Sequence, residues 1–342
     1  MTTNELAYHL KNICHYYGNT KVLDFDELKI KKGSITALIG PNGSGKSTLL
    51  KLLAFAQKPT QGQIFYKGHK EYPFSQRTRS KITLLTQKPY LLKRTIFENI
   101  AYGLKIRKDT DHLEKRVEEA LLNVGLDYEK FENRKWHELS GGEAQRVAMA
   151  ARLILKPEVL LLDEPVASVD TKSAKLIRRA SLNAKKEWGT TLVIASHDLQ
   201  WLYSISDRQL SMFKGQLFST GIENIITQPF EKQNSKTHIK RLDDGQIIKL
   251  PPPAPKTCNA IIRKKRVFIG LEQQEESESL NQLSGQIASM LFEKKTGLIM
   301  ATVTVHDTSF VVRLSPDEIT NLTLHPGKRV ILKFDQHDIE WI

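Results

Sequence analysis

Gly40-Pro41-Asn42-Gly43-Ser44-Gly45-Lys46-Ser47, followed by Thr48, has the spacing of a phosphate cradle, GxxxxGK and then a hydroxyl residue. Glycines let the backbone curl until consecutive N–H groups point at phosphate oxygens, and a helix starting at the turn adds partial positive charge. Lys46 would bring a full charge to the β- and γ-phosphates, and the Ser47 hydroxyl could ligate Mg²⁺. Farther on, Val159-Leu160-Leu161-Leu162-Asp163-Glu164 is an apolar run ending in two carboxylates. At a strand end beside the cradle, Asp163 can hold Mg²⁺ directly or through water. Glu164 is placed to accept a proton from an attacking water. Two acids after a strand are usually capping or solvated groups; paired with the cradle, the catalytic reading dominates. Together these residues describe a nucleoside-triphosphatase of the P-loop kind without saying which.

The elements that must hold these groups read as alternating strands and helices. Ile35-Thr36-Ala37-Leu38-Ile39 is a short apolar strand feeding the glycine-rich turn, and helical spacing runs from Ser47 to Phe55. The continuous apolar runs Val159 to Leu162 and Thr191-Leu192-Val193-Ile194-Ala195 suit strands buried on both faces. Residues 1–230 are therefore expected to form an α/β domain with a largely parallel sheet. Beyond Pro229 the chain turns polar, then proline-rich at Pro251-Pro252-Pro253-Ala254-Pro255. Residues 231–275 read as a stiff connector with lead-in strands. The remainder, 276–342, is rich in strand formers, with runs at 297–305, 309–314 and 329–334, the last after a Pro326-Gly327 turn. A small β-barrel is expected there.

Leu139-Ser140-Gly141-Gly142-Glu143-Ala144-Gln145-Arg146 stands shortly before the carboxylate strand, and helical spacing runs from Glu143 through Arg152. Ser140, Gly141 and Gly142 thus occupy a second helix N-terminus fit for an anion. One nucleotide cannot readily use both glycine-rich sites of one subunit, so this helix end is expected to cap ATP held by a partner. The LSGGE run between the two phosphate-site motifs resembles the signature of the ABC ATPases, and the chain is identified as an α/β P-loop NTPase of ABC type with an added small β-barrel.

That resemblance assigns further roles. Tyr17, just before Gly18, resembles the aromatic residue that stacks on adenine; Tyr16 is a rival, and strand-end packing is the alternative. Gln87 matches the glutamine that meets Mg²⁺ and senses the membrane partner. Ser168-Val169-Asp170 looks like the loop that crosses the dimer interface, and His197 resembles the switch histidine at the γ-phosphate. Two subunits would close head to tail over two ATP, with Glu164, Lys46, His197 and Mg²⁺ acting on each.

Composition bounds the partners. A hydrophobic fraction of 40% and a charged fraction of 26% are those of a folded globular protein rather than a disordered chain. No run approaches the roughly 18 uninterrupted apolar residues needed to cross a bilayer, and no secretory signal opens the chain. Two distant cysteines, Cys14 and Cys258, are too few for a disulfide framework and fit a reducing cytosol. The net charge of +13, part of it between Lys232 and Arg266, is favoured as a generally basic surface, with an anionic membrane face second. No helix-turn-helix or aromatic–basic pattern accompanies it, so nucleic acid is not expected. With no fused spans, no second cassette and no long heptad insertion, a separate transmembrane permease is the expected partner. A substrate-binding protein would join indirectly, and the chain would sit peripherally on the cytoplasmic side of the membrane. The stretch from Lys88 to Ile100, after Gln87, is suited to gripping a permease helix.

The tail suggests the cargo. Asn281-x-Leu283-x-Gly285 and Asn321-Leu322-x-Leu324-x-Pro326-Gly327-Lys328, with the Ala260 to Ile269 strand before them, resemble the Mop-like (TOBE) barrel of molybdate and tungstate importers. Ser279, Asn281 and Lys328 are the candidate oxyanion donors; a barrel that only supports dimerisation is the alternative. Tungstate uptake is favoured, then molybdate, then another anion or a metal ion. A soluble regulatory or nucleic-acid-associated ABC ATPase is the reading from another class.

Overall fold

The computed structural model describes residues 5–167, 169–218, 224–235, 237–253, 259–273, 279–293, 295–306 and 308–341. Ser168, Ala254, Pro255 and Cys258 lie outside the described residues. The chain forms two compact units, Met1–Leu202 with Ser206–Ser219, and Tyr203–Ile205 with Thr220–Ile342.

The first unit opens with two long strands, β1 (Leu6–Tyr17) and β2 (Thr20–Lys31), followed by β3 (Ile35–Ile39) and α1 (Lys46–Leu53). Next come β4 (Gln61–Tyr66), β5 (His69–Glu71), α2 (Gln76–Arg79) and β6 (Ile82–Leu85). A helical stretch holds α3 (Ile96–Ile106), α4 (Leu113–Asn123), α5 (Tyr128–Phe131) and α6 (Gly141–Leu153). The chain then runs β7 (Val159–Asp163), α7 (Thr171–Trp188), β8 (Thr191–Ala195), α8 (Leu199–Ile205), β9 (Arg208–Phe213) and β10 (Gln216–Phe218). One sheet has the order β2-β1-β4-β5 and the other β10-β9-β3-β8-β7-β6. Every residue of β3, β7 and β8 is buried, which is why those strands read as unbroken apolar runs rather than alternating ones. Their pairings with one another and with β6 and β9 are parallel, as expected.

Parallel strands align their carboxyl ends, so the turn after β3, the acids ending β7 and the loop after β8 come to one edge of the sheet. The helix after the cradle is anchored by Leu49, Leu50, Leu52 and Leu53, all fully buried in a core shared with Tyr8, Leu38, Leu161 and Val193. At about 1.5–3 kcal/mol per buried leucine side chain, that packing fixes the helix axis on which the cradle depends.

The second unit is built almost wholly of strands: β11 (Asn224–Thr227), β12 (Glu231–Lys232), β13 (His238–Arg241), β14 (Ile247–Leu250), β15 (Asn259–Ile262), β16 (Phe268–Gly270), β17 (Leu280–Glu293), β18 (Leu298–Val305) and β19 (Thr308–Leu314), then the short α9 (Pro316–Asn321), β20 (Arg329–Asp335) and β21 (Ile339–Trp341). Among the described residues they form three sheets, β11-β15-β21, β12-β13-β14 and β16-β20-β17-β18-β19. The strand expected from Ala260 to Ile269 is broken by a 3₁₀ turn at Lys264–Arg266. Where composition suggested a connector, β13 and β14 form a hairpin whose Leu242, Ile248 and Leu250 enter the same core as Leu283, Val303, Phe310 and Phe334. Its pattern was masked by Lys240, Arg241 and Lys249, which interrupt the apolar residues of both strands.

Two buried asparagines replace missing ladder rungs in this unit. Asn281 accepts from the Lys249 N–H at 2.7 Å and donates to the Lys249 carbonyl at 3.0 Å. Asn224 does the same at Val311, at 2.6 and 3.0 Å. Asn281→Ala strands two buried backbone groups, so about 1–3 kcal/mol of stability should be lost from this unit. Hydrogen exchange at the Lys249 amide reads it: the variant should exchange faster, and an unchanged rate would contradict the assignment.

Candidate functional site

The cradle is formed where β3 runs into α1. A Cβ at Gly40 would stand 2.2 Å from the Met212 carbonyl on β9, so only glycine fits that close approach. Gly45, with φ of +104°, is the residue from which α1 starts, and a Cβ there would meet Val22 O at 2.9 Å. Lys46 is buried and donates from Nζ to the carbonyls of Gly40 (2.7 Å) and Pro41 (3.0 Å). Burial lowers its pKa, and the carboxylates of Glu164 and Asp163 partly offset this.

Asp163 ends β7 in the interior near Ser47; burial raises its pKa, while Ser47 and Lys46 act in the opposite sense. A hydroxyl and a carboxylate held side by side at the phosphate loop are the oxygen donors a hard cation takes, so this pair fits Mg²⁺. Glu164, next along, has φ of +47°, a left-handed backbone uncommon for a residue with a Cβ, in a turn where its N–H donates to the Ala195 carbonyl. Its Oε2 accepts from the His197 N–H at 3.2 Å and its Oε1 lies 3.2 Å from His197 Nε2. Burial pushes this carboxyl's pKa up, against the pull of His197 and Lys46. His197 Nε2 also meets Asn42 Oδ1 at 3.1 Å, tying the loop after β8 to the cradle.

One cavity of about 270 Å³ gathers these groups: Asn42, Gly43, Ser44, Gly45, Lys46, Ser47 and Thr48, with Gln87, Asp163, Glu164 and His197. Val22 and Ala167 line it as well; nothing in their sequence context marked them. Gly40 and Pro41 are not in its lining; their carbonyls hold Lys46. Tyr17 is not in its lining; the ring is 43% exposed, stands edge-on to His15 at 5.0 Å, and donates its hydroxyl to Gln57 Oε1 at 2.7 Å. Strand alternation puts Tyr16 on the other face, where its hydroxyl engages Cys14 and has a raised pKa for that reason. His15 and Gln57, which brace Tyr17, carried no sequence signal.

Ser140, Gly141, Gly142 and Glu143 do not line this cavity. They form the start of α6, with Ser140 and Gly141 exposed, Glu143 half-buried and Gly142 buried, closed by a capping box in which Ser140 Oγ accepts from Glu143 N and Glu143 Oε2 accepts from Ser140 N. Asp170 is outside the cavity too and caps α7, accepting from Ser173 N at 2.9 Å. A Cβ on Gly142 would lie 2.7 Å from Asp170 Oδ2, so α7 packs directly against the α6 start. Of the stretch after Gln87, Ile96, Asn99 and Ile100 pack inward, whereas Tyr90 and Leu92 are exposed. Tyr102 and Ile106 on α3 line an open groove of about 540 Å³ with Arg79, Arg107 and Leu155.

The three oxyanion candidates are not brought together, which corrects that expectation. Ser279 donates to Asp335 Oδ2 at 2.7 Å; Asn281 is spent on Lys249; Lys328 Nζ is bound by the carbonyls of Leu322 and Thr323 and the Thr323 hydroxyl. Ser279 lies where β17 begins, beside Gln336, and Lys328 lies beside Ile287 at the far end of the β17–β20 pairing. Eight residues of strand separate those ends, on the order of 25 Å at about 3.3 Å per residue. Each donor is already committed to holding the fold.

Comparison with known proteins agrees with the first unit. A model described as ABC transporter matches residues 23–167. The spermidine/putrescine import ATP-binding protein PotA of Mesoplasma florum is 37% identical over 222 residues, 64% of this chain and 63% of that one. The tungstate uptake system ATP-binding protein TupC of Peptoclostridium acidaminophilum is 37% identical over 61% of this chain and 95% of its own length. The Fe(3+) ions import ATP-binding protein FbpC of Vibrio cholerae is 37% identical over 62% and 60%. The chain thus spans under two thirds of the length of the polyamine and ferric relatives. Among solved structures, a bacterial ABC transporter cassette in dimeric form superimposes with a TM-score of 0.57 at 30% identity, covering 61% of this chain and 96% of that one. The fold, the cavity and these likenesses agree: the chain belongs to the ABC transporter ATP-binding family.

Proposed function

We propose that this chain is the ATP-hydrolysing subunit of an ABC importer, working as a dimer beneath a separate permease. The observation that carries the reading is the division of its phosphate-binding devices. Lys46, Ser47, Asp163, Glu164 and His197 share one cavity, while Ser140 and Gly141 at the start of α6 stand exposed and outside it. Such a half-site is completed by a second copy, whose α6 N-terminus supplies backbone N–H groups to the triphosphate.

Within one site, the cradle N–H groups and Lys46 bind and orient the β- and γ-phosphates. Glu164 takes the proton of the attacking water on its carboxylate, and His197, hinged between Glu164 and Asn42, stands at the γ-phosphate as charge develops. Ser47 and Asp163, with Gln87 in the same lining, would hold Mg²⁺, which would neutralise phosphate charge when bound. The exposed groove at Tyr102 and Ile106 is suited to a permease helix.

For the cargo, the tail's sequence likeness and the tungstate relative support tungstate or molybdate. A second reading, a polyamine or ferric ion, is favoured by two observations. The oxyanion candidates stand apart, and the tungstate relative leaves no length for a tail, since 209 residues make up 95% of it. The polyamine relative, with 222 residues as 63% of its length, is about as long as this chain. Uptake of tungstate, spermidine and ferric iron by cells lacking the chain decides among them. Loss of one identifies the cargo, and normal uptake of all three would contradict all three cargoes.

A further inference from the structure

Gln145 is buried, at 2% exposure, one turn inside α6 and three residues beyond Gly142. Its carboxamide reaches two backbone carbonyls that belong to different loops. Nε2 donates to Thr86 O at 3.4 Å and to Pro165 O at 3.3 Å. Thr86 immediately precedes Gln87, and its hydroxyl donates over that residue to the Lys88 carbonyl at 2.7 Å. Pro165 immediately follows Glu164. One side chain on α6 therefore grips the backbone beside both a Mg²⁺-facing residue and the base. Two acceptors can be met only by the NH₂ end of the amide, which fixes its orientation. Its Oε1 is buried without a donor, so nothing on that side anchors it.

Packing alone would be served at lower desolvation cost by methionine or leucine of similar volume. The carboxamide does what an apolar side chain cannot, holding two loop carbonyls at once. Both contacts are slightly longer than the usual N–H···O range, so a small shift of α6 changes their strength. Arg152, farther along the same helix, donates to Leu84 O at 3.3 Å and ties α6 to the strand that leads to Gln87.

We propose that Gln145 is a positioning residue. It couples the seating of the α6 N-terminus on a partner's nucleotide to the placement of Gln87 and Glu164 in its own subunit's cavity. The inference rests on the ATPase reading above.

The test is Gln145→Met in the full chain, with turnover and equilibrium binding of radiolabelled ATP measured side by side. A positioning role lowers kcat about tenfold while leaving the Kd for ATP within about twofold, because no atom of Gln145 lines the cavity. A kcat within about twofold of the native chain would overturn it, as would a parallel loss of binding and turnover. Should the methionine variant fail to fold, Gln145→Leu removes the donor at low desolvation cost, and the same split is expected. A native chain that turns over no ATP would instead overturn the ATPase reading, and this inference with it.

Discussion

Glu164→Gln should bind ATP as the native chain does while its turnover falls about a hundredfold or more, the worth of a positioned general base. The amide keeps the shape of the side chain and can still accept from the His197 N–H, which now meets Glu164 Oε2 at 3.2 Å. What it loses is a carboxylate able to take a proton. Burial holds this carboxyl's pKa above the ordinary glutamate value, with His197 pulling it back. The base is present above that raised pKa and is lost as pH falls through it. Native turnover should therefore drop on acidification at a pH above the usual glutamate range, and the glutamine variant should lack that limb. A steady-state pH profile of both chains reads this; near-native turnover of the variant would remove Glu164 from the role.

Lys46→Met should act on both binding and rate. The ammonium is buried beside Asp163 and Glu164, and it is the charge that offsets them. Removing it leaves two buried acids and a polyphosphate without the lysine's positive charge. A charged hydrogen bond of about 1.5–3 kcal/mol corresponds to roughly ten- to hundredfold weaker ATP binding. Loss of a donor aimed at developing charge costs about a hundredfold or more in kcat. Filter binding and turnover assays separate the two effects. Binding unchanged by Lys46→Met would mean that the cradle is not where the triphosphate sits.

Much of the first unit was legible because its chemistry is local. The cradle, the two acids and the LSGGE run each lie in one short segment, and the strands that carry them are buried on both faces and so read as apolar runs. What was not legible depends on register and on distant partners. Val22 and Ala167 reach the cavity only through the fold. Gln87 was legible through family resemblance, but the Gln145 link behind it joins residues 59 and 20 positions apart in the chain. In the tail, Asn281 and Ser279 fit an anion site by residue type. The structure uses both for backbone and carboxylate contacts that spacing alone does not reveal. The hairpin at 238–250 was hidden because Lys240, Arg241 and Lys249 break up the apolar pattern from which Ile248 and Leu250 reach the core.

Completion of each site by the partner's α6 is tested most directly by ATP retention. In the Glu164→Gln background, radiolabelled ATP should stay with the protein through gel filtration, sealed between a cradle and an opposing helix start. Adding Ser140→Asp keeps an equally good N-cap for α6 but places a negative charge where a partner's triphosphate would lie. Equilibrium binding should then be unchanged while retention through the column is lost. Retention that survives Ser140→Asp would contradict a site shared between two subunits.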